Sequence, residues 1–148
     1  MKKSQSATEY SMVIGFIILL AIASIYIYDV YHKNSLDSVK ASKSLNAANE
    51  IVKEVNKIYK FPDGSKSSIK VTIPNGIQTI EFEGNEIIFT YLNSRNDLVE
   101  VVKVAEIEVI GNTIINPVPG IKDLNIIKMG SSVCVKIPGE DCPLSAEQ

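Results

Sequence analysis

Residues 12 to 28 read MVIGFIILLAIASIYIY and contain no charged side chain. As a helix, these seventeen residues rise by about 26 Å, which is near the lower limit for crossing a bilayer. Extending the helix through Ala7, Thr8 and Ser11 makes it long enough. The stretch therefore predicts a transmembrane helix at the start of a chain whose 148 residues amount to about one domain.

The flanks of this stretch predict its orientation. Lys2 and Lys3 precede it, and the cytoplasmic side of a membrane segment favours lysine and arginine, so we expect the N-terminus inside and the rest of the chain outside. Tyr26, Tyr28 and Tyr31 lie where the apolar stretch ends. Two interpretations stay open for them, an aromatic belt at the membrane surface and contacts between neighbouring helices.

The residues that follow predict that the helix continues beyond the membrane. No glycine or proline occurs between Gly15 and Pro62, and apolar residues recur at steps of three or four with charged residues between them. We expect one helix from Gln5 to Lys60, which ends within the sequence FPDG at residues 61 to 64. The apolar positions of its second half include Leu36, Val39, Leu45, Ala48, Val52, Val55 and Tyr59.

Beyond Gly64 the apolar period shifts towards two and β-branched residues dominate, which predicts strands. Four runs, at residues 68–74, 77–83, 86–92 and 98–110, are separated by short turns that predict antiparallel neighbours. The fourth run changes its apolar phase, which predicts a β-bulge near Ala105. We expect a proline-containing loop at residues 115–121 and two further strands at residues 124–129 and 132–138.

These elements predict an α+β fold, in which a long N-terminal helix is followed by a C-terminal antiparallel sheet domain packed on its amphipathic half. Charge divides along the same line, since residues 30–61 carry six lysines against three acids and residues 62–148 carry twelve acids against seven bases. Two interpretations stay open. In the first, the basic side of the helix and the acidic surface of the sheet domain both face solvent. In the second, the acidic sheet domain packs on the basic side of the helix, within one chain or between chains.

Little in the sequence points to catalysis. His32 is the one histidine of the chain, and no nucleotide-binding or nucleophile motif is present, so we expect no enzyme, metal site or cofactor. Nucleic-acid binding is not predicted, because phosphate binding needs clustered basic residues and the outer domain is acidic.

Cys134 and Cys142 are the two cysteines of the chain and flank the sequence VKIPGED. Pro138 and Gly139 predict a turn between them, and a hairpin there would bring the two sulfurs within bonding distance. Since disulfides are stable in extracellular domains, we expect this pair to be bonded.

Glu9 lies at the start of the apolar stretch, where a charge is disfavoured by about 2.5 to 3.5 kcal/mol on insertion scales. A secretory signal cleaved after the sequence Ala-Ile-Ala at residues 21–23 does not explain an acid at the head of its apolar core. A permanent membrane anchor leaves Glu9 at the interface without a role. A third interpretation gives the carboxylate a partner.

The segment KKSQSATEY, residues 2 to 10, resembles the class III signal peptide of archaeal type IV pilin-like proteins. It combines a short basic leader, a small residue, and a Q-S-A-T-E-Y pattern that runs into the apolar helix. The resemblance implies that a prepilin peptidase removes residues 1–4 by cutting between Ser4 and Gln5. Glu9 then becomes the fifth residue of the mature chain, where the family carries its glutamate.

The pairing of Glu9 with the new amine of Gln5 has a physical basis. An unpaired amine inside an apolar bundle is costly, and a carboxylate one helical turn away, on the same or an adjacent chain, offsets that cost. The resemblance implies a structural subunit of a surface filament, with adhesion or a related role, whose helix (residues 5–61) forms the core and whose β-rich domain (residues 62–148) lies outside. The expected core residues are Met12, Val13, Ile14, Phe16, Ile17, Ile18, Leu19, Leu20, Ile22, Ile25, Tyr26, Ile27 and Tyr28.

The implied partners are identical subunits, the peptidase, a membrane assembly platform with its ATPase, and membrane lipid before assembly. The alternative is a single-pass anchored or secreted β-domain that binds a partner without polymerising.

Overall fold

A computed structural model of the chain describes the backbone of residues 2–143 and the side chains of residues 9–143. It contains one long helix followed by eight strands, which confirms the α+β prediction. By its contacts the chain divides into two compact units, Met1–Leu36 and Asp37–Gln148. The elements are α1 (Lys2–Ile58), β1 (Lys66–Ile73), β2 (Ile77–Glu83), β3 (Glu86–Leu92), β4 (Leu98–Val104), β5 (Glu108–Gly111), β6 (Ile114–Ile115), β7 (Gly120–Met129) and β8 (Ser132–Lys136).

Helix α1 ends slightly before the predicted position. The amides of Lys60 and Phe61 donate to the carbonyls of Lys57 and Ile58, three residues earlier, at 3.2 and 3.0 Å. Such bonds tighten the last turn and end the α-helical pattern before Pro62 is reached. The ammonium group of Lys128 then donates to the Phe61 carbonyl at 2.9 Å, which ties the end of the helix to β7.

The strands form two four-stranded sheets. Sheet A has the order β1-β7-β8-β5 and sheet B the order β4-β3-β2-β6. The predicted antiparallel pairing of the first two strands is wrong, because β1 pairs with β7 along its whole length while β2 pairs with β3 and β6. The short turn at Asn75 and Gly76 joins the two sheets instead. Ile73 and Ile77 on either side of it are both buried, so the chain bends towards the core there.

The fourth predicted strand is also different, since it is split between the sheets. The bulge expected near Ala105 is a break, after which the chain leaves β4 of sheet B and enters β5 of sheet A. Ala105 is buried, and its amide donates to the Asn85 carbonyl at 2.7 Å. Strand β5 then pairs with β8 in parallel, an orientation that the short-turn pattern did not predict.

The predicted loop at residues 115–121 is shorter in the structure. Ile115 closes the two-residue strand β6, and β7 begins at Gly120, four residues before the expected start of that strand. Asn116 has a positive φ of 47° and donates its amide to the Gln78 carbonyl, so this turn is held against β2. Strand β8 ends at Lys136, within the predicted run at residues 132–138.

One hydrophobic core joins both sheets and the second half of the helix. Apolar side chains from a single stripe of α1 face the inward side chains of the strands. Of the apolar positions predicted for this half of the helix, Ala48, Val52 and Val55 are buried, whereas the others are exposed: Leu36, Val39, Leu45 and Tyr59. The helix contributes Ala47, Ala48, Ile51, Val52, Val55 and Ile58, and the strands contribute, among others, Val71, Ile80, Ile87, Phe89, Leu124, Ile126, Val133 and Val135.

The basic side of the helix does not form this packing surface. Lys43, Lys53 and Lys57 are exposed, and the helix side chains buried under the sheets are apolar apart from Ser44. Lys40 is half-buried, but its ammonium group donates to the Leu92 carbonyl at 3.3 Å rather than to a carboxylate. Helix and sheets of one chain are therefore held together mainly by apolar burial.

The predicted disulfide between Cys134 and Cys142 is present, with Cα atoms 6.1 Å apart. The turn at Pro138 and Gly139 also occurs, where the Glu140 amide donates to the Ile137 carbonyl at 3.1 Å. Cys142 does not lie on a returning strand, however, so the bond ties an irregular tail onto β8. Cys134 itself is fully buried.

We expect Cys142→Ala to lower the free energy of unfolding by about 2 to 3 kcal/mol, because the disulfide closes a loop with a sequence separation of 8 and restricts the unfolded chain. Cys134 remains in place in this variant, so its packing is kept. Denaturant unfolding of the full-length chain in detergent measures the difference. Reductant should lower the stability of the wild type to that of the variant and leave the variant unchanged; equal stability of variant and oxidised wild type would contradict the prediction.

Glu54 holds the last part of the helix to β1. Its carboxylate accepts a hydrogen bond from the Ser67 hydroxyl at 2.7 Å and lies 3.0 Å from the Lys57 ammonium group. The side chain of Glu54 is 15% exposed. The Ser67 hydrogen bond is the main cause that lowers the pKa of Glu54 below its ordinary value of 4.5; burial opposes it and Lys57 reinforces it.

The lowered pKa of Glu54 predicts an acid-dependent loss of stability. Because the folded state releases this proton more readily than the unfolded state, the contribution is present above pH 4.5 and is lost as the pH falls through the lower folded pKa. We expect Ser67→Ala to flatten the dependence of the free energy of unfolding on pH in this range. Ser68→Ala provides the control, since Ser68 is an exposed serine of the same strand and its loss should leave the slope unchanged; a steep slope retained in Ser67→Ala would contradict the assignment.

Candidate functional site

The apolar helix segment, which we define as residues 9–36, exposes all its side chains. Among the predicted core residues, the exposed fraction ranges from 41% at Ile14 to 75% at Met12. The most apolar part of the helix has a mean hydropathy of 2.4, and none of this part is buried. This helix is long and apolar enough to cross a membrane. Exposing so much apolar surface to water is unfavourable, so lipid or other helices have to cover it.

Glu9 stands at the head of this segment. Its side chain is exposed, and the next charged residue along the helix is Asp29, so residues 10–28 form an uncharged stretch. Ser4 and Gln5 belong to helix α1, but their side chains lie outside the described residues. The predicted cleavage between them and the pairing of Glu9 with a new amine therefore stay predictions.

Polar groups appear again at the other end of the segment. The Lys33 ammonium group lies 2.7 Å from the Asp29 carboxylate, and the rings of Tyr28 and His32 stack with centroids 5.8 Å apart. Both pairs follow the one-turn spacing of a helix. Within the side chains of residues 9–143, no group of three or more histidines, cysteines or acids is placed to hold a metal ion.

Small residues interrupt the apolar surface. A Cβ atom at Gly15 would meet nothing within 4 Å, so the backbone is open to close approach there. Ser24 donates its hydroxyl to the Leu20 carbonyl at 2.8 Å, which satisfies this polar group inside the helix. Small and internally satisfied residues are the type that allows apolar helices to pack closely together.

Hydrogen bonds between Asp37 and Ser94 fix the beginning of the second unit, residues 37–148, and no sequence pattern predicted them. The Asp37 carboxylate accepts hydrogen bonds from the amide and the hydroxyl of Ser94, at 2.9 and 2.8 Å. The two residues are 57 positions apart, so no local pattern signals the contact. Together with the Lys40 bond to Leu92, it fixes the turn between β3 and β4 against the helix.

A cleft of about 510 Å³ lies beside the helix in the same unit. Its lining is mixed, since Lys43, Asn46 and Glu50 come from the helix while Pro74 and Pro119 come from the segments around β1 and β7. The cleft holds both a cationic and an anionic side chain next to apolar surface. Such a cleft suits a small polar ligand or a peptide loop, but no arrangement of acid, base and nucleophile is evident in it.

Comparison with protein-family models found no match, and neither curated proteins nor solved structures matched this chain.

Proposed function

We propose that this chain is the structural subunit of a surface filament of the archaeal type IV pilus kind. The proposal rests above all on one observation, the complete exposure of the apolar helix segment in a chain whose other unit has its own closed core. In this proposal the segment lies in lipid before assembly and among the helices of other subunits afterwards. The β-rich domain would then lie on the outside of the filament.

Helix packing must supply the stability of the proposed filament. Lipid is about as apolar as protein, so moving the segment from the bilayer into a bundle gains little from the hydrophobic effect itself. Close packing around small residues such as Gly15 can contribute, as can the pairing of Glu9 with the amine of Gln5. We expect extraction from the membrane to need the assembly platform and its ATPase.

The N-terminus of the native protein tests this proposal most directly. We expect intact mass and N-terminal sequencing of the native protein from the host cells and their medium to place the first residue at Gln5, with Glu9 as the fifth residue. A start at Ser24 would instead identify a secreted domain. A start at Met1 or Lys2 would identify a plain membrane anchor, and either result would overturn the pilin proposal.

A single-pass anchored β-domain that binds a ligand or partner is the second candidate. The cleft between the helix and β1 favours it, because a non-polymerising receptor needs a binding site of this kind. In that case, the chain should retain its leader, and electron microscopy of cell surfaces should show no filaments that contain it.

A further inference from the structure

The outer face of sheet B exposes several apolar side chains. The side chains of β4 alternate, with Val99 and Val101 turned towards the core and Val102, Val104 and Leu98 turned away from it. The three outward residues are 42%, 52% and 67% exposed. Their cross-strand neighbours on β3 continue the same face, since Ile88 lies opposite Val102 and Leu92 lies opposite Leu98.

Carboxylates surround this apolar face. Glu83 and Glu86 lie directly opposite one another across β2 and β3, and Glu81 and Glu100 lie on the same face. Like charges in opposed positions destabilise a sheet by a few tenths of a kcal/mol to about 1 kcal/mol. None of the four makes an ion pair with a described residue. A cationic partner would remove this repulsion.

The outer face of sheet A differs in two ways. The tail tied by the disulfide covers part of it, and Cys134 is fully buried as a result. Its charges are mixed, because Lys70 lies opposite Asp123 on β7. Sheet A therefore lacks the combination of exposed apolar residues and unpaired charge of one sign.

Residues 37–58 of the helix cannot cover the outer face of sheet B in the same chain. On β3, Ile87 and Phe89 point into the core, whereas Ile88 between them points the other way. The helix contributes Ile51 and Val55 to that same core. Helix and outer face thus lie on opposite sides of one sheet. This part of the helix therefore leaves the face free for a partner from another molecule.

The outward side of the amphipathic helix segment, residues 37–58, has the matching properties. Val39, Lys43, Asn46, Lys53 and Lys57 recur at steps of three, four or seven and are all exposed, so they share one stripe opposite the buried face. Lys43 and Lys53 make no ion pair with a described residue, and Glu50 is the acid within the stripe. The stripe is thus net basic and includes an apolar residue.

We propose that the outer face of sheet B docks on this stripe of the amphipathic helix segment in a second copy of the chain. Val102 and Ile88 would contact Val39 and the lysine stems, while the surrounding glutamates would pair with Lys43 and Lys53. The inference rests on the proposed function in that the second copy is a filament neighbour.

Because each chain carries both surfaces, the proposed contact can repeat from one copy to the next. Each chain carries both, on different parts of its surface, so the contact is heterologous. A heterologous contact that does not close into a ring adds copies in one direction and produces a filament. The helix bundle and this outer contact would then act together along the same assembly.

Cross-linking of the full-length chain tests the contact. A variant with Val102→Cys and Asn46→Cys should form disulfide-linked ladders of subunits on mild oxidation of its filaments. The control carries Ser68→Cys, an exposed and nearly isosteric change on the outer face of sheet A, together with Asn46→Cys. We expect at least a fivefold lower yield of ladders from the control.

Charge reversal then tests the complementarity. Glu81→Lys with Glu100→Lys, and separately Lys43→Glu with Lys53→Glu, should each lower the ladder yield at least fivefold in the Val102→Cys and Asn46→Cys background. Combining all four reversals should restore most of it. Recovery of the ladder yield is the decisive readout. Losses caused by misfolding would add up when all four reversals are combined, whereas losses caused by charge repulsion would cancel.

The outcomes separate this inference from the proposed function. Filaments that form normally but give ladders no stronger than the Ser68→Cys control would overturn the docking contact and leave the filament proposal intact. If no filaments form, the same oxidation is applied to the chain in its membranes. Specific, charge-restorable cross-links there would support the contact between copies while counting against a filament subunit, and their absence would overturn both.

Discussion

Glu9→Gln is expected to abolish or nearly abolish surface filaments while leaving membrane insertion and cleavage almost intact. The substitution makes the apolar helix segment less polar and does not alter Ser4 or Gln5, so neither early step should suffer. In the assembled core the amine of Gln5 would lose its counter-charge. Breaking a buried pair costs on the order of 3 to 5 kcal/mol, and this cost would recur at every added subunit.

Electron microscopy of cell surfaces, with N-terminal sequencing of the membrane fraction, measures both parts of this prediction. We expect processed subunits to accumulate in the membrane, and co-expression of wild-type chain to rescue some filaments through its own Glu9. Asp29→Asn is the matched control, because Asp29 is an acid of the same helix that lies beyond the apolar stretch and pairs with Lys33. Filaments of normal number and length in Glu9→Gln would show that the carboxylate has no pairing role.

Phe89→Ala should cause the largest loss of stability among single changes in the β-rich domain. Phe89 is fully buried on the inner face of sheet B, and truncating a buried phenylalanine costs about 3 to 5 kcal/mol through lost burial and the cavity left behind. We expect a much lower denaturant midpoint for the full-length chain in detergent, followed by circular dichroism. The subunit should also become sensitive to proteolysis.

Phe61→Ala provides a control with the same chemical change. Phe61 is 50% exposed after the end of α1, and its carbonyl, which Lys128 binds, is retained in alanine. The expected loss is below about 1 kcal/mol. Similar losses in the two variants would mean that the inner face of sheet B is not part of the core.

Much of the local structure could be predicted from periodicity. The bounds of β2 and β3 agree with the predicted runs at residues 77–83 and 86–92, where β-branched and aromatic residues lie between turn residues on both sides. The disulfide followed from two cysteines close in sequence. The apolar helix segment was evident from composition alone, because its uncharged stretch at residues 10–28 is long enough to cross a membrane.

Pairing between distant segments was not predictable in the same way. The phase change near Ala105 correctly signalled an irregularity, but a bulge and a crossover between two sheets give the same local pattern. The partner of β1 is β7, about fifty residues further along the chain, and the tie from Asp37 to Ser94 spans a similar interval. Such contacts depend on which arrangement buries all apolar faces at once.

By itself, then, the sequence determined the long helix and most of the extended segments, where the apolar helix segment lies, and that Glu9 stands at its head. Only the tertiary structure decided which strands share a sheet and which face of sheet B remains uncovered. The physical reason is that periodicity reports that one side of a segment is buried, whereas the identity of the covering surface depends on contacts between residues far apart in the chain.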